Sequence, residues 1–90
     1  MESYANVCYT VAETAGRAAN LRARAGLMRQ IAAFFGKQGW TQVEVAQHCG
    51  VTQPRINDLL RARVSRFSLD ALVNISTELG CRVRVDLEAA

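Results

Sequence analysis

Proline is nearly absent from this chain: Pro54 alone occurs in 90 residues, so segment boundaries have to be carried by glycines and helix-capping residues. Cysteine is scarce and odd in number. Cys8, Cys49 and Cys81 stand far apart, with no C-x-x-C pair and a single histidine; this supports neither a disulfide framework nor a zinc site and fits a reducing compartment. No stretch approaches the roughly 18 consecutive apolar residues of a membrane span, and the N-terminus lacks a charged segment followed by an apolar one. A cytoplasmic protein with no membrane partner is expected. Aromatic residues make up 7 % and charged residues 21 %, which argues against disordered, collagen-like and rod-like chains. His48 has no Ser, Cys or carboxylate partner at a known catalytic spacing, and no phosphate-binding loop occurs. Neither an enzyme nor a cofactor or metal is therefore expected.

What is present is a hydrophobic half of the residues, enough for one domain with a modest core, since a chain of this length buries ~60–65 % of its unfolded surface. The net charge is +3 and the pI ≈ 9.1, a mild imbalance that permits a polyanionic partner. Its distribution is uneven. Arg17, Arg22, Arg24, Arg29 and Lys37 have no acid among them, and Arg55, Arg61, Arg63 and Arg66 enclose only Asp58. The first basic run reads as a solvated helix face; the second overlaps the motif described below.

Three helix starts share one pattern, a hydroxyl N-cap preceded by a large apolar residue that can reach the fourth helical position: Trp40-Thr41 with Val45, Val51-Thr52 with Ile56, and Phe67-Ser68 with Leu72. Thr41 is followed by Glu44, which completes a capping box. Gly39, Gly50 and Gly80 can adopt the left-handed conformation that ends a helix. The predicted helices are 13–38, 42–49, 53–61 and 69–79. In the first, Leu21, Ala25, Met28, Ala32 and Phe35 recur at helical spacing, with Leu27, Ile31 and Phe34 widening the stripe; Gly16 and Gly26 are its weak points. Met28 and Trp40 read as core and staple, Cys49 as packed, and His48 as an exposed helix residue. Pro54 falls in a first turn, where its missing amide is not needed.

Both ends change period. Residues 81–87 alternate strictly, with Cys81, Val83, Val85 and Leu87 on one side and Arg82, Arg84 and Asp86 on the other. Residues 4–11 alternate less regularly, with Val7, Tyr9 and Val11 sharing a face. A lone strand leaves its backbone groups unpaired, so the C-terminal strand needs a partner from residues 4–11, from a second copy or from another protein. Val83, Val85 and Leu87 are the expected dimerisation or partner-strand residues. The organisation predicted is an N-terminal arm or strand over 1–12, a helical domain over 13–80 and a C-terminal strand and tail over 81–90.

Helices 42–49 and 53–61, joined by a short glycine-containing turn, have the layout of a DNA-binding helix-turn-helix. Ala46 sits at the tight helix contact, Gly50 makes the turn, and Val51, Ile56 and Leu59 supply buried positions. The run from Gln42 through Ala46, Gly50, Gln53, Arg55 and Asn57 to Leu60 resembles the Xre group of helix-turn-helix proteins, which includes the phage lambda Cro and repressor domains. Residues 19–28 and 66–74 are further similar to HigA-like antitoxins, partners of RelE/HigB-type toxins. The chain departs from that subgroup at Ala62-Arg63, where glycine and lysine are usual, and at Asn57, where serine is favoured.

The fold expected is mainly α, an Xre/Cro-like bundle of four to five helices with short N- and C-terminal β-strands. The second helix of the motif would enter the major groove with Gln53, Arg55 and Asn57 at its head, since Gln and Asn can hold adenine, and Arg guanine, through paired hydrogen bonds. Thr52 caps that helix and is itself among the expected DNA-binding residues. Arg61, Arg63 and Arg66 flank it as expected phosphate contacts, and the resemblance implies the same for Gln42. One such helix reads few base pairs, so a homodimer on an inverted-repeat double-stranded DNA operator is expected. The resemblance implies an autoregulating repressor that also neutralises a toxin; a regulator without a toxin partner, or a protein-interaction module without DNA binding, are the alternatives.

Overall fold

The computed structural model describes residues 2–89, with side chains from Thr14 to Ala89. Four α-helices and one 3-10 turn follow in order: α1 (Glu2–Gln38), α2 (Gln42–Cys49), α3 (Gln53–Leu60), the turn η1 (Val64–Arg66) and α4 (Leu69–Glu78). The protein is thus mainly helical. α2 packs on α3, and α1 lies across α3, η1 and α4.

The caps form as their sequence pattern requires. Thr41 Oγ1 accepts from the Glu44 amide at 3.2 Å while Glu44 Oε1 accepts from the Thr41 amide at 2.9 Å, so two otherwise unpaired amides are satisfied at the start of α2. The bond from the Thr41 amide, with the Thr41 hydroxyl adding to it, holds the Glu44 carboxyl below its usual range. Thr52 and Ser68 cap α3 and α4 through the amides of Arg55 and Ala71.

The core gathers Met28, Ile31 and Phe35 of α1, Val45, Ala46 and Cys49 of α2, Ile56 and Leu59 of α3, Phe67, and Leu72, Ile75 and Leu79 around α4. Ser76 is buried among them with its hydroxyl donating to the Leu72 carbonyl at 2.8 Å. Burial, with the Glu78 carboxylate adding to it, pushes the Cys49 thiol up, so this cysteine stays a neutral packing group.

Three expectations change. The helix predicted over 13–38 starts at Glu2 and runs unbroken through Gly16 and Gly26. The strand expected over 4–11 is therefore helical backbone; Tyr4, Val7, Cys8 and Val11 are also spaced at three and four residues, and no proline or glycine separates them from the helix body. The shared face of Val7, Tyr9 and Val11 lies outside the described side chains. At the other end, residues 81–89 carry no regular structure: with 4–11 helical, the described residues offer the tail no strand to bond to. Finally, Leu21 is 39 % exposed rather than core, and from Thr14 to Ala23 only Ala18 is even half-buried. The core begins two turns later, at Met28.

Helix ends repeat one device. Gly50 at φ 66 and Gly80 at φ 86 each close a helix in the left-handed conformation, with the next amide reaching back across the last turn, Val51 to the Ala46 carbonyl and Cys81 to the Ser76 carbonyl. α3 ends in the same way but on alanine. Ala62 sits at φ 56, its amide bonded to Leu59 and that of Arg63 to Asp58, both at 3.0 Å. A β-carbon in this region costs roughly 1–2 kcal/mol. Ala62→Gly should therefore stabilise the fold by about 1 kcal/mol even after the added freedom of the unfolded chain is counted, raising the thermal midpoint by about 5 °C in calorimetry. The matching Gly50→Ala change should lower it.

Candidate nucleic-acid interface

The two helices of the motif meet through Val45, Ala46 and Cys49 on α2 and Ile56 and Leu59 on α3, all buried. This turns the opposite side of α3 outward. Gln53 and Pro54 are exposed, and Asn57 and Asp58 half-buried. Gln42 at the start of α2, Gln53 and Asn57 on α3, and Arg63 and Arg66 beyond it border one shallow, open depression with Pro54 and Asp58. Five of the residues proposed from sequence for DNA contact thus share one face.

The other three are placed differently. Thr52 Oγ1 accepts from the Arg55 amide at 3.4 Å as the N-cap of α3. Arg61 is exposed at the C-terminal end of α3. Arg55, expected to reach a base edge, folds back instead: its guanidinium lies 4.1 Å from the centroid of the Phe67 ring, and its Nη1 donates to the Arg66 carbonyl at 2.7 Å. In this position it holds the loop after α3 against the helix. The first turn of α3 also offers fewer amides than a bare helix start. Pro54 has none and the Arg55 amide is bonded to Thr52, so among its first three residues only Gln53 has an N–H to turn outward, at the positive end of the helix dipole.

Two further residues organise this surface. Asp58 Oδ2 accepts from Arg66 Nη1 at 3.2 Å, and its Oδ1 lies 3.7 Å from Arg63 Nε. One carboxylate thus draws two guanidiniums to the rim of the depression. Arg24, which sequence put on a solvated face, is half-buried; its Nη1 donates to the carbonyls of Val64 at 3.2 Å and Phe67 at 3.0 Å, tying α1 to η1. Its Nε is buried without a hydrogen-bond partner. A periodic pattern could show neither role, because Asp58 reaches across a loop and Arg24 reaches forty or more residues ahead. On the far side of α2, His48 stacks on Trp40 at 4.3 Å between ring centroids, and Phe34 meets Trp40 edge-on at 6.1 Å.

Residues 10–88 match the family described as Helix-turn-helix domain. The chain belongs to that helix-turn-helix family. Membership covers α2, α3 and most of the described residues, and it suggests a DNA-binding regulator. No curated protein matches the chain. Among the described residues, no helix is long and apolar enough to cross a membrane, and no group of His, Cys, Asp and Glu is placed to hold a metal ion.

Arg55 and Gln53 separate scaffold from surface. Arg55→Ala removes a cation–π contact and a charge-assisted bond and should cost about 1–2 kcal/mol in a denaturant titration. Gln53→Ala, which removes only an exposed amide, should change stability by less than about 0.5 kcal/mol.

Proposed function

We propose that this helix-turn-helix protein is a sequence-specific, double-stranded DNA-binding transcriptional repressor that works as a homodimer on an inverted-repeat operator. The observation that carries the reading is the single open face on which Gln42, Gln53, Asn57, Arg63 and Arg66 converge. Gln53 and Asn57 head the exposed side of α3 and read base edges in the major groove, preferring adenine through paired hydrogen bonds. Arg61, Arg63 and Arg66 contact phosphates on one flank and Gln42 on the other; such contacts fix position and give salt-dependent affinity. Arg55 acts here through the loop it braces, which sets where Arg63 and Arg66 stand. The protein acts without a cofactor and catalyses no reaction.

The resemblance of residues 19–28 and 66–74 to HigA-like antitoxins favours a cytoplasmic role in a toxin-antitoxin operon, with a RelE/HigB-type toxin as second partner. A neighbouring gene for a small basic protein that co-purifies with this chain would support that partner. Its absence would leave the plain regulator.

The DNA reading is tested by gel shift on the fragment upstream of the gene over a salt series. Asn57→Ala and Gln53→Ala should each relax discrimination between operator and unrelated DNA by about 1–3 kcal/mol. Arg61→Ala should weaken both to a similar degree and lower the slope of log affinity against log salt by about 1. No shift at low salt would overturn the proposal.

A further inference from the structure

The tail after α4 presents a surface that is left largely uncovered by the described residues. Cys81 packs against the core and Val83 is half-buried, while Val85 and Leu87, on the same alternating side, are 88 % and 99 % exposed. Arg82, Arg84, Asp86 and Glu88 alternate with them and are exposed; among the described residues none has an ion-pair partner within the chain. An open groove runs between the tail and α1, lined by Leu27, Ile31 and Phe34 on one side and by residues 82–86 of the tail on the other.

We infer that residues 82–88 pair antiparallel with the same residues of a second copy, across a two-fold axis at Val85. Opposite residues in an antiparallel ladder share a face, so the register can be tested against the sequence. With the axis at Val85, Arg84 faces Asp86, Arg82 faces Glu88, Val83 faces Leu87 and Val85 faces itself. Each charge meets its opposite, and each apolar side chain meets another. Moving the axis to position 84 sets Arg84 against its own copy, and moving it to position 86 does the same to Asp86. A parallel in-register pairing sets like charge on like charge throughout. A slip by one residue mixes the charged and apolar sides. Only the Val85 register satisfies both alternations.

The pairing supplies the backbone bonds that a lone tail lacks. It also brings Leu87 of the second copy opposite Val83, at the mouth of the α1 groove. The apolar side of the two-stranded ribbon then continues the core of each copy, and its charged side faces water. This interface gives the homodimer of the proposed function a definite surface and rests on that reading for its purpose, but not for its chemistry.

The test uses the full chain without DNA, followed by sedimentation over a concentration series. Arg84→Glu and Asp86→Arg each set like charges opposite each other twice per dimer and should each raise the dimer dissociation constant about tenfold. The double variant Arg84→Glu/Asp86→Arg restores opposite charges and should return it toward the starting value. Val85→Cys should form an intermolecular disulfide at position 85 on mild oxidation, because directly opposed Cα atoms lie about 4.5–5.5 Å apart, within disulfide reach. Cys81, four residues from the axis, should not cross-link to its own copy. Helical content by circular dichroism checks that each variant is folded. A monomer at all concentrations, single reversals without effect, or a double variant that fails to recover would overturn the interface. A dimer that responds as described but ignores promoter DNA would sink the repressor reading and leave the interface standing.

Discussion

The geometry of the exposed face depends on how Phe67 is held. Its ring is 1 % exposed, and the backbone around it is gripped from two directions by arginines with no negative partner at the contact. Arg24 reaches from α1 to the Val64 and Phe67 carbonyls, while Arg55 reaches from α3 to the Arg66 carbonyl and lies on the ring. A guanidinium suits this work because it is planar, always charged and carries several donors in a fixed fork. The carbonyls satisfied are those of a loop that has no ladder or helix to bond to. By fixing Val64–Phe67 the two arginines also fix the origins of Arg63 and Arg66, and so the charge along one edge of α3. A hydrophobic anchor thereby sets the electrostatics of a polar surface.

Asp58 adjusts that charge. Exposed ion pairs contribute little to stability, but this carboxylate is partly sheltered, with 19 % of its side chain exposed, and it meets both arginines at once. Left to themselves, two guanidiniums on a short loop would repel each other and sample many rotamers. The shared acid narrows that range and leaves the cluster with a net positive charge. Phosphate oxygens can then compete for donors that are already orientated.

What was legible in the sequence was what is local. The hydroxyl caps, the capping box and the glycine stops each involve residues within five or six positions, and the observed ends of α2, α3 and α4 fall within a residue of those they imply. The helix-turn-helix spacing is local in the same sense, and it brought Gln42, Gln53 and Asn57 to one face. Arg55 could not be placed this way: at its position in α3 an arginine can point out to a base or back to a ring, and the choice depends on Phe67, twelve residues on. Arg24 was hidden for the same reason. The terminal strands failed for a different one. Alternation shows that a segment can present two faces, but strand structure needs a neighbour's hydrogen bonds, and over residues 4–11 an equally good helical spacing prevailed. Ala62 was visible as a departure from a familiar pattern; that it would nevertheless take the left-handed conformation follows from the two bonds that close α3 around it.

The stack of His48 on Trp40 has an optical consequence. Trp40 is the single tryptophan of the chain, so the indole emission of the whole protein originates at the junction where α1 hands over to α2, in contact with an imidazole that can quench it. A tilt of α2 against α1 would change the surroundings of the indole, which sits between Phe34 of α1 and His48 of α2. The molecule therefore carries its own unlabelled fluorophore at the joint behind its outward-facing helix pair.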